Sequence, residues 1–415
     1  MVNVCFYFQV HQPFRMRHYS VFDTGKSKDY FDDNKNIEVL RKVARKCYIP
    51  ANNLMLELLD RHPGFKISYS LSGVFMEQCE KWAPEVLTSF KRLVDTGRVE
   101  ILSETYYHSL AYLFSKEEFK EQVLLHKAKV KELFGVEPKV FRNTELIYNN
   151  EIAKFVEDMG FKGIISEGWD PVLGWKSPNF LYRPKTTSRI KLLMKNYRLS
   201  DDIAFRFSNR GWAEWPLTTD KFCDWVNSYN GNGECINLFM DYETIGEHQW
   251  EDTGIFEFLR HLPQELLKHP DNAFKTPSEL IEELEVKDEI DCHHMISWAD
   301  IERDLSAWLG NRIQQSSASR IYSIEKEIKE ADDAQLLDDW RKLQTSDHFY
   351  YMCTKWFSDG DVHKYFNPYD SPYDSFMNFM NILNDLVLRL RDIQGRKETV
   401  KTNSEVTGDE VGKAI

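Results

Sequence analysis

Seven cysteines, an odd number, fall in the 415-residue chain without a single C-x-x-C spacing. That pattern excludes a zinc knuckle and gives no disulfide framework, so Cys5, Cys47, Cys79, Cys223, Cys235, Cys292 and Cys353 are expected to be buried thiols. Basic residues are outnumbered, 53 Lys and Arg against 66 Asp and Glu, and the net charge of −13 removes the electrostatic footprint of a general nucleic-acid binder. No run approaches the roughly 20 apolar residues of a membrane span. The N-terminus, MVNVCFYFQVHQP, has neither a basic head nor a small-residue cleavage site, so a cytoplasmic protein is expected. The serine-hydrolase elbow G-x-S-x-G, the P-loop, G-x-G-x-x-G and H-E-x-x-H are all missing, which leaves no handle for nucleotide chemistry and no cofactor to expect. Internal repeats and low-complexity tracts are lacking too.

Aromatic side chains, in contrast, make up 14% of the chain. Most must be core, and the surplus suits sugar rings, whose apolar faces stack on flat side chains.

Val2, Val4, Phe6, Phe8 and Val10 alternate with Asn3, Cys5, Tyr7 and Gln9 at the period of a strand, which Pro13 stops. After a polar loop, residues 37–59 have a helical period, and HPG at 62–64 separates them from FKISYSL. The alternation continues with VEIL at 99–102, a helix over 115–134 opened by Ser115 and Glu118, and KVF at 139–141. A helix over 150–160 follows, then KGII at 162–165, KLLM at 191–194 and CINLFM at 235–240. Seven strand candidates interleaved with helices predict a parallel sheet closed or nearly closed into a barrel. From Thr276, a helix cap followed by Pro277, helical periods dominate, over 300–313, 321–343 and 375–393. The expected organisation is a catalytic barrel over 1–270, a helical domain over 271–394, and a disordered tail over 395–415.

In parallel sheets and barrels the site lies beyond the C-terminal strand ends. Those ends carry His11; Glu100, Glu104 and His108; Glu145; and Asp241 and Glu243. A single strand-end Glu can serve as a helix N-terminal charge, and a single His as a hydrogen-bonded core residue. Two acids from different strands in an aromatic setting are, however, the equipment for glycoside cleavage, one ionised carboxylate meeting the sugar carbon while a protonated one serves the leaving oxygen. The competing reading is a metal-dependent hydrolase using His11, His108 and Asp241, with His293-His294 and DGDVH at 359–363 as further donors.

HQP at 11–13, GRVEI at 97–101, FRNTEL at 141–146, MDYE at 240–243 with GEH at 246–248, and SWAD at 297–300 running on to 302–304 follow one another in an order and spacing that resemble glycoside hydrolase family 57. The FRNTELIYNN and MDYETIGEHQW versions are most similar to its short archaeal-type α-amylases. The resemblance implies an incomplete (β/α)7 barrel with a helical C-terminal portion and retaining cleavage of 1,4-α-glucans. It implies Glu145 as nucleophile, Asp241 as acid/base, and His11, Glu100 and Trp298 around the reacting sugar, Trp298 coming from the helical domain. His108 and Trp212 are added as further substrate-binding positions, in regions that vary among relatives. Many relatives have two adjacent acids followed by Gly where this chain reads MDYE, so Glu243 is the rival acid/base. Glucanotransferase and branching activity use the same intermediate, and a non-catalytic glucan-binding protein is the alternative of another class. No metal, nucleic acid or membrane partner is expected.

Overall fold

The computed structural model describes residues 2–355 and 367–411, with side chains described as far as Arg396. The chain divides into two compact units. The first comprises 1–12, 34–112 and 116–305, and the second 13–33, 113–115 and 306–415.

Ten strands run through the first unit: β1 Val2–Val10, β2 Ile67–Leu71, β3 Val99–Ile101, β4 Val140–Arg142, β5 Gly163–Ser166, β6 Tyr182–Pro184, β7 Lys191–Met194, β8 Cys235–Asp241, β9 Asn272–Phe274 and β10 Asp288–Ile290. All seven expected strands are among them. The short β6, β9 and β10 lack an apolar run and were not foreseen. One sheet has the order β3-β2-β1-β8, with β9 also pairing with β1, and the other β10-β6-β7-β5-β4. Every pairing is parallel except β6 with β7. Ladders among the described residues therefore close no barrel. Between the sheets, Ser103 N donates to Val140 O at 3.0 Å and Arg142 N to Ser103 O at 2.8 Å. On the other side Asn196 N donates to Asn237 O at 2.9 Å, and Asn237 Nδ2 to Met194 O at 2.8 Å.

Strand β1 is buried along its whole length because both of its faces are covered. Val2, Val4, Phe6, Phe8 and Val10 pack with helix residues such as Met55, Leu58 and Phe90, whereas Cys5 and Tyr7 join a second cluster with Leu102, Val140, Ile165, Leu193 and Phe239.

The helical expectations hold over Lys116–Phe134, Asn150–Asp158 and Pro277–Glu283, the last opened by a Thr276–Glu279 capping box. Residues 37–59 lie in two helices, Asp33–Val43 and Ile49–Arg61, joined by a π-turn at Ala44–Tyr48. The helix read over 300–313 is present only in part: Asp300 and Arg303 have positive φ (55° and 51°), and regular helix starts at Ser306–Leu309 and Arg312–Ser323. Arg303 Nη1 donates to Trp298 O at 2.6 Å, a side-chain contact that turns the backbone where periodicity alone suggests a helix.

The first unit accordingly runs past residue 270 to Leu305 and includes Trp298, because β9 and β10 add to its sheets. In the second unit, helices Arg312–Ser323, Ala334–Lys342 and Pro372–Val411 dominate. The period over 321–343 is broken at Asp332, where φ is 52°, and Asp333 caps the next helix by accepting from Leu336 N. Segment 13–33 belongs to this unit, with Tyr30 Oη donating to Asp385 Oδ2 at 2.5 Å and Tyr19 N to Asn378 Oδ1 at 2.6 Å. The backbone of 395–411 continues the last helix where a disordered tail is expected, and residues 412–415 lie outside the described residues. All seven cysteines are free and buried. No helix among the described residues is long and apolar enough to cross a membrane.

Candidate active site

Tyr7, Leu102, Val140, Ile165, Leu193 and Phe239 form part of one apolar cluster, and two residues further along each segment come Gln9, Glu104, Arg142, Glu167, Lys195 and Asp241. A step of two keeps the same face of a strand, so six segments change from apolar to polar together and build a charged layer at their C-terminal ends.

Glu145 stands in the tight turn Thr144–Leu146 just beyond β4, with φ of 58°. For a non-glycine residue this left-handed conformation is costly and is held by its surroundings. Trp298 supplies two of the restraints: its Nε1 donates to Glu145 Oε2 at 2.8 Å and its backbone N to Glu145 O at 3.2 Å. His108, itself at φ 50°, brings Nε2 to 3.3 Å from Glu145 Oε1 and Nδ1 to 2.8 Å from Glu104 Oε2. Burial alone would lower the His108 pKa, but the two carboxylates outweigh it and raise it to about 9, so the ring is an imidazolium between two acids. Glu104 is fully buried, yet His108, Arg142 and His126 hold its carboxyl well below the usual range. Ser70 Oγ and Gln9 Nε2 also donate to its Oε1, at 2.6 and 3.0 Å.

Asp241 ends β8, opposite Gln9 in the parallel register. Burial, then the charge of Glu145, pushes its pKa up to about 6, against the pull of Arg142, His108 and Lys195. Glu243 follows two residues on, in the turn Tyr242–Thr244. Tyr48 Oη donates to it from the π-turn, and burial with the Asp241 charge raises it to about 8. The loop that follows Glu243 approaches the π-turn closely, since a Cβ on Gly246 (φ 102°) would lie 2.0 Å from Lys46 O. Cys47 Sγ donates to Tyr242 O at 3.2 Å.

A second group of charges fixes Trp298. Arg303, which holds its carbonyl, lies 3.4 Å from Asp201 Oδ2 and 3.8 Å from Glu167 Oε2, and Lys195 Nζ is 3.2 Å from Asp201 and 3.5 Å from Glu167. The guanidinium of Arg142 lies over the Trp298 ring, 4.9 Å from its centre.

Of the residues expected from the sequence, Glu145, Asp241, His108, His11 and Trp298 come together. The His11 ring stacks on His108 with centroids 4.0 Å apart and places Nδ1 2.7 Å from Ser72 Oγ. Glu100 does not join them. It lies opposite Ser68, level with Tyr7 and one step below the charged layer, where its carboxylate accepts from Ser278 N and Oγ at the start of helix Pro277–Glu283. Its place is taken by Glu104, four residues on. Trp212 is packed edge to face on Trp225 with Arg206 over its ring, and its described contacts include none of the site carboxylates. Gln9, Arg142, Glu167, Lys195 and Arg303 were not singled out in the sequence, although the two-residue step from apolar to polar marks four of them.

His11 and His108 do not converge as metal ligands would, because their rings lie face to face and both His108 nitrogens are directed at carboxylates. Among the described residues no group of three or more His, Cys, Asp or Glu side chains is arranged to hold a metal ion. His293 is exposed and pairs with Asp291 at 3.1 Å, and DGDVH at 359–363 lies outside the described residues.

The family model described as "Glycosyl hydrolase family 57" matches residues 5–293. A Methanocaldococcus jannaschii protein described as "Putative alpha-amylase" is 47% identical over 418 residues, covering 98% of this chain and 88% of that protein. A GH57-type branching enzyme of Pyrococcus horikoshii is similar in structure, with a TM-score of 0.67 at 14% identity over 92% of this chain and 88% of that one. A GH57 branching enzyme of Thermococcus kodakaraensis gives 0.64 at 15% identity, over 94% of both chains. At those identities the two structures speak for the fold alone. The family match and the Methanocaldococcus jannaschii relative define an α/β enzyme of the glycoside-cleaving class. The chain belongs to glycosyl hydrolase family 57.

Proposed function

We propose that the protein is a retaining glycoside hydrolase that cleaves 1,4-α-glucosidic bonds of starch, glycogen or maltooligosaccharides. The observation that carries this reading is the different surroundings of two acids in one site. Glu145 accepts a hydrogen bond from Trp298 Nε1, and His108 Nε2 lies 3.3 Å from its other oxygen. Asp241 keeps its proton to about pH 6. In the first step the Glu145 carboxylate forms a bond to the anomeric carbon while the bond to the leaving oxygen breaks and Asp241 gives that oxygen its proton. In the second, Asp241 takes a proton from water, whose oxygen attacks the same carbon and releases Glu145. Asp241 suits the acid/base role better than Glu243, since Glu145, Arg142, His108 and Lys195 are the charges that act on it, while Glu243 is hydrogen-bonded to Tyr48.

The strand order β8-β1-β2-β3-β4-β5-β7, with hydrogen bonds bridging β3 to β4 and β7 to β8, supports an incomplete seven-stranded barrel as the frame. His11 and Trp298 are assigned to the walls of the reacting subsite, and a cytoplasmic location fits an enzyme of stored glucan.

Incubation with maltooligosaccharides tests the reading. New reducing ends with retained α-configuration support it, longer or 6-branched products move the assignment to a glucanotransferase or branching enzyme, and binding without products contradicts it.

A further inference from the structure

We propose that Arg142 is a positioning residue for this reaction, its buried guanidinium fixing the Trp298 ring and supplying a permanent positive charge to the cluster that contains Asp241. The inference rests on the reading of Asp241 as acid/base.

The side chain of Arg142 is wholly buried, and among the described residues none of its three nitrogens has a hydrogen-bond partner. Glu104 is the nearest acid, 4.0 Å from Nη1, but its oxygens are already taken by His108, Ser70 and Gln9. A buried guanidinium with no hydrogen-bond partner among the described residues is expensive, and an apolar side chain would serve stability better at the end of β4. Its presence calls for a compensation elsewhere. One part is the Trp298 ring beneath its plane, since a cation over an indole gains most when both are desolvated. That ring donates to Glu145, so the orientation of the indole decides whether the nucleophile is held.

The other part is Coulombic. The charges facing Asp241 are Glu145 beyond β4 and Glu243 in the following turn, which favour its neutral form, and Arg142, His108 and Lys195, which favour its ionised form. Tyr7 on β1, held neutral by burial, completes its surroundings. Arg142 is foremost among the cations acting on Asp241. It cannot lose its charge at working pH, whereas His108 titrates near 9.

The test uses the full chain with Arg142→Met, and with Arg142→Lys and Arg142→Gln as milder replacements should the first not fold. For each, kcat/KM is followed against pH on a maltooligosaccharide. In parallel, protein labelled with 5-fluorotryptophan is examined by fluorine NMR, the Trp298 signal being identified with Trp298→Phe. Loss of the charge should let Asp241 keep its proton longer, moving the basic limb up by on the order of one pH unit. kcat should fall about tenfold or more with KM little changed, and the Trp298 signal should move. Arg142→Lys should bring the limb back. Neutral variants that lose thermal stability but keep both the wild-type limb and the Trp298 signal overturn the inference. Should the wild-type enzyme cleave no glucan, the functional reading fails on its own, and the fluorine signal still decides whether Arg142 holds Trp298.

Discussion

Trp298 Nε1 donates to Glu145 Oε2 at 2.8 Å across 153 positions of sequence. In the proposed reaction that carboxylate alternates between free anion and glycosyl ester, and a donor aimed at it orients the oxygen and stabilises it each time it leaves. Trp298→Phe keeps the ring and removes only the donor. We expect kcat to fall roughly 10- to 100-fold, the worth of one hydrogen bond to a charged group, while the melting temperature stays near that of the wild type. Steady-state kinetics with thermal denaturation checks both.

The carboxylate–imidazolium–carboxylate row of Glu104, His108 and Glu145 makes a second expectation. His108 should titrate near pH 9, followed by NMR of the imidazole, and Glu104→Gln should move that value down. Since the folded-state value lies above the ordinary one of about 6.5, this pairing stabilises the protein fully below that pH, and the contribution is lost as pH rises through about 9. Thermal midpoints measured between pH 6 and 10 should therefore fall less steeply in Glu104→Gln than in the wild type.

Glu100 and Trp212 should behave as structural residues. Glu100→Ala removes the acceptor of Ser278 N and Oγ at a helix start, which costs about 1 kcal/mol. Trp212→Ala opens a gap beside Trp225. Both should lower the melting temperature and leave kcat/KM within about twofold of the wild type. A large loss of kcat/KM in either, with the fold intact, would return that residue to the site.

How much of this was legible in the sequence differs by element. The seven strands with continuous or alternating apolar runs could be read, because a strand buried on both faces must be apolar along its length. β6, β9 and β10 could not, since they carry no apolar run and a strand of three residues can pair through its backbone without one. Glu100 is a strand acid of the right parity, and only the register shows that it lies a layer below the others. Arg303 was absorbed into a helix that starts only at Ser306, since a side chain that reaches back to a carbonyl five residues earlier leaves no trace in hydrophobic period. The two acids were legible through the motifs around them, and the cations that tune them were not.

The most direct test of the central claim separates the two acids on an activated aryl α-maltooside with and without azide. Glu145→Ala should be inactive on every substrate, because no other group can form the intermediate. Asp241→Ala should still be glycosylated by the activated substrate, which needs no proton, and should stall for lack of a base. Azide, which needs none, should restore turnover and yield the α-glycosyl azide. A β-glycosyl azide from Asp241→Ala, or full activity of that variant on starch alongside an inactive Glu243→Ala, would contradict the assignment.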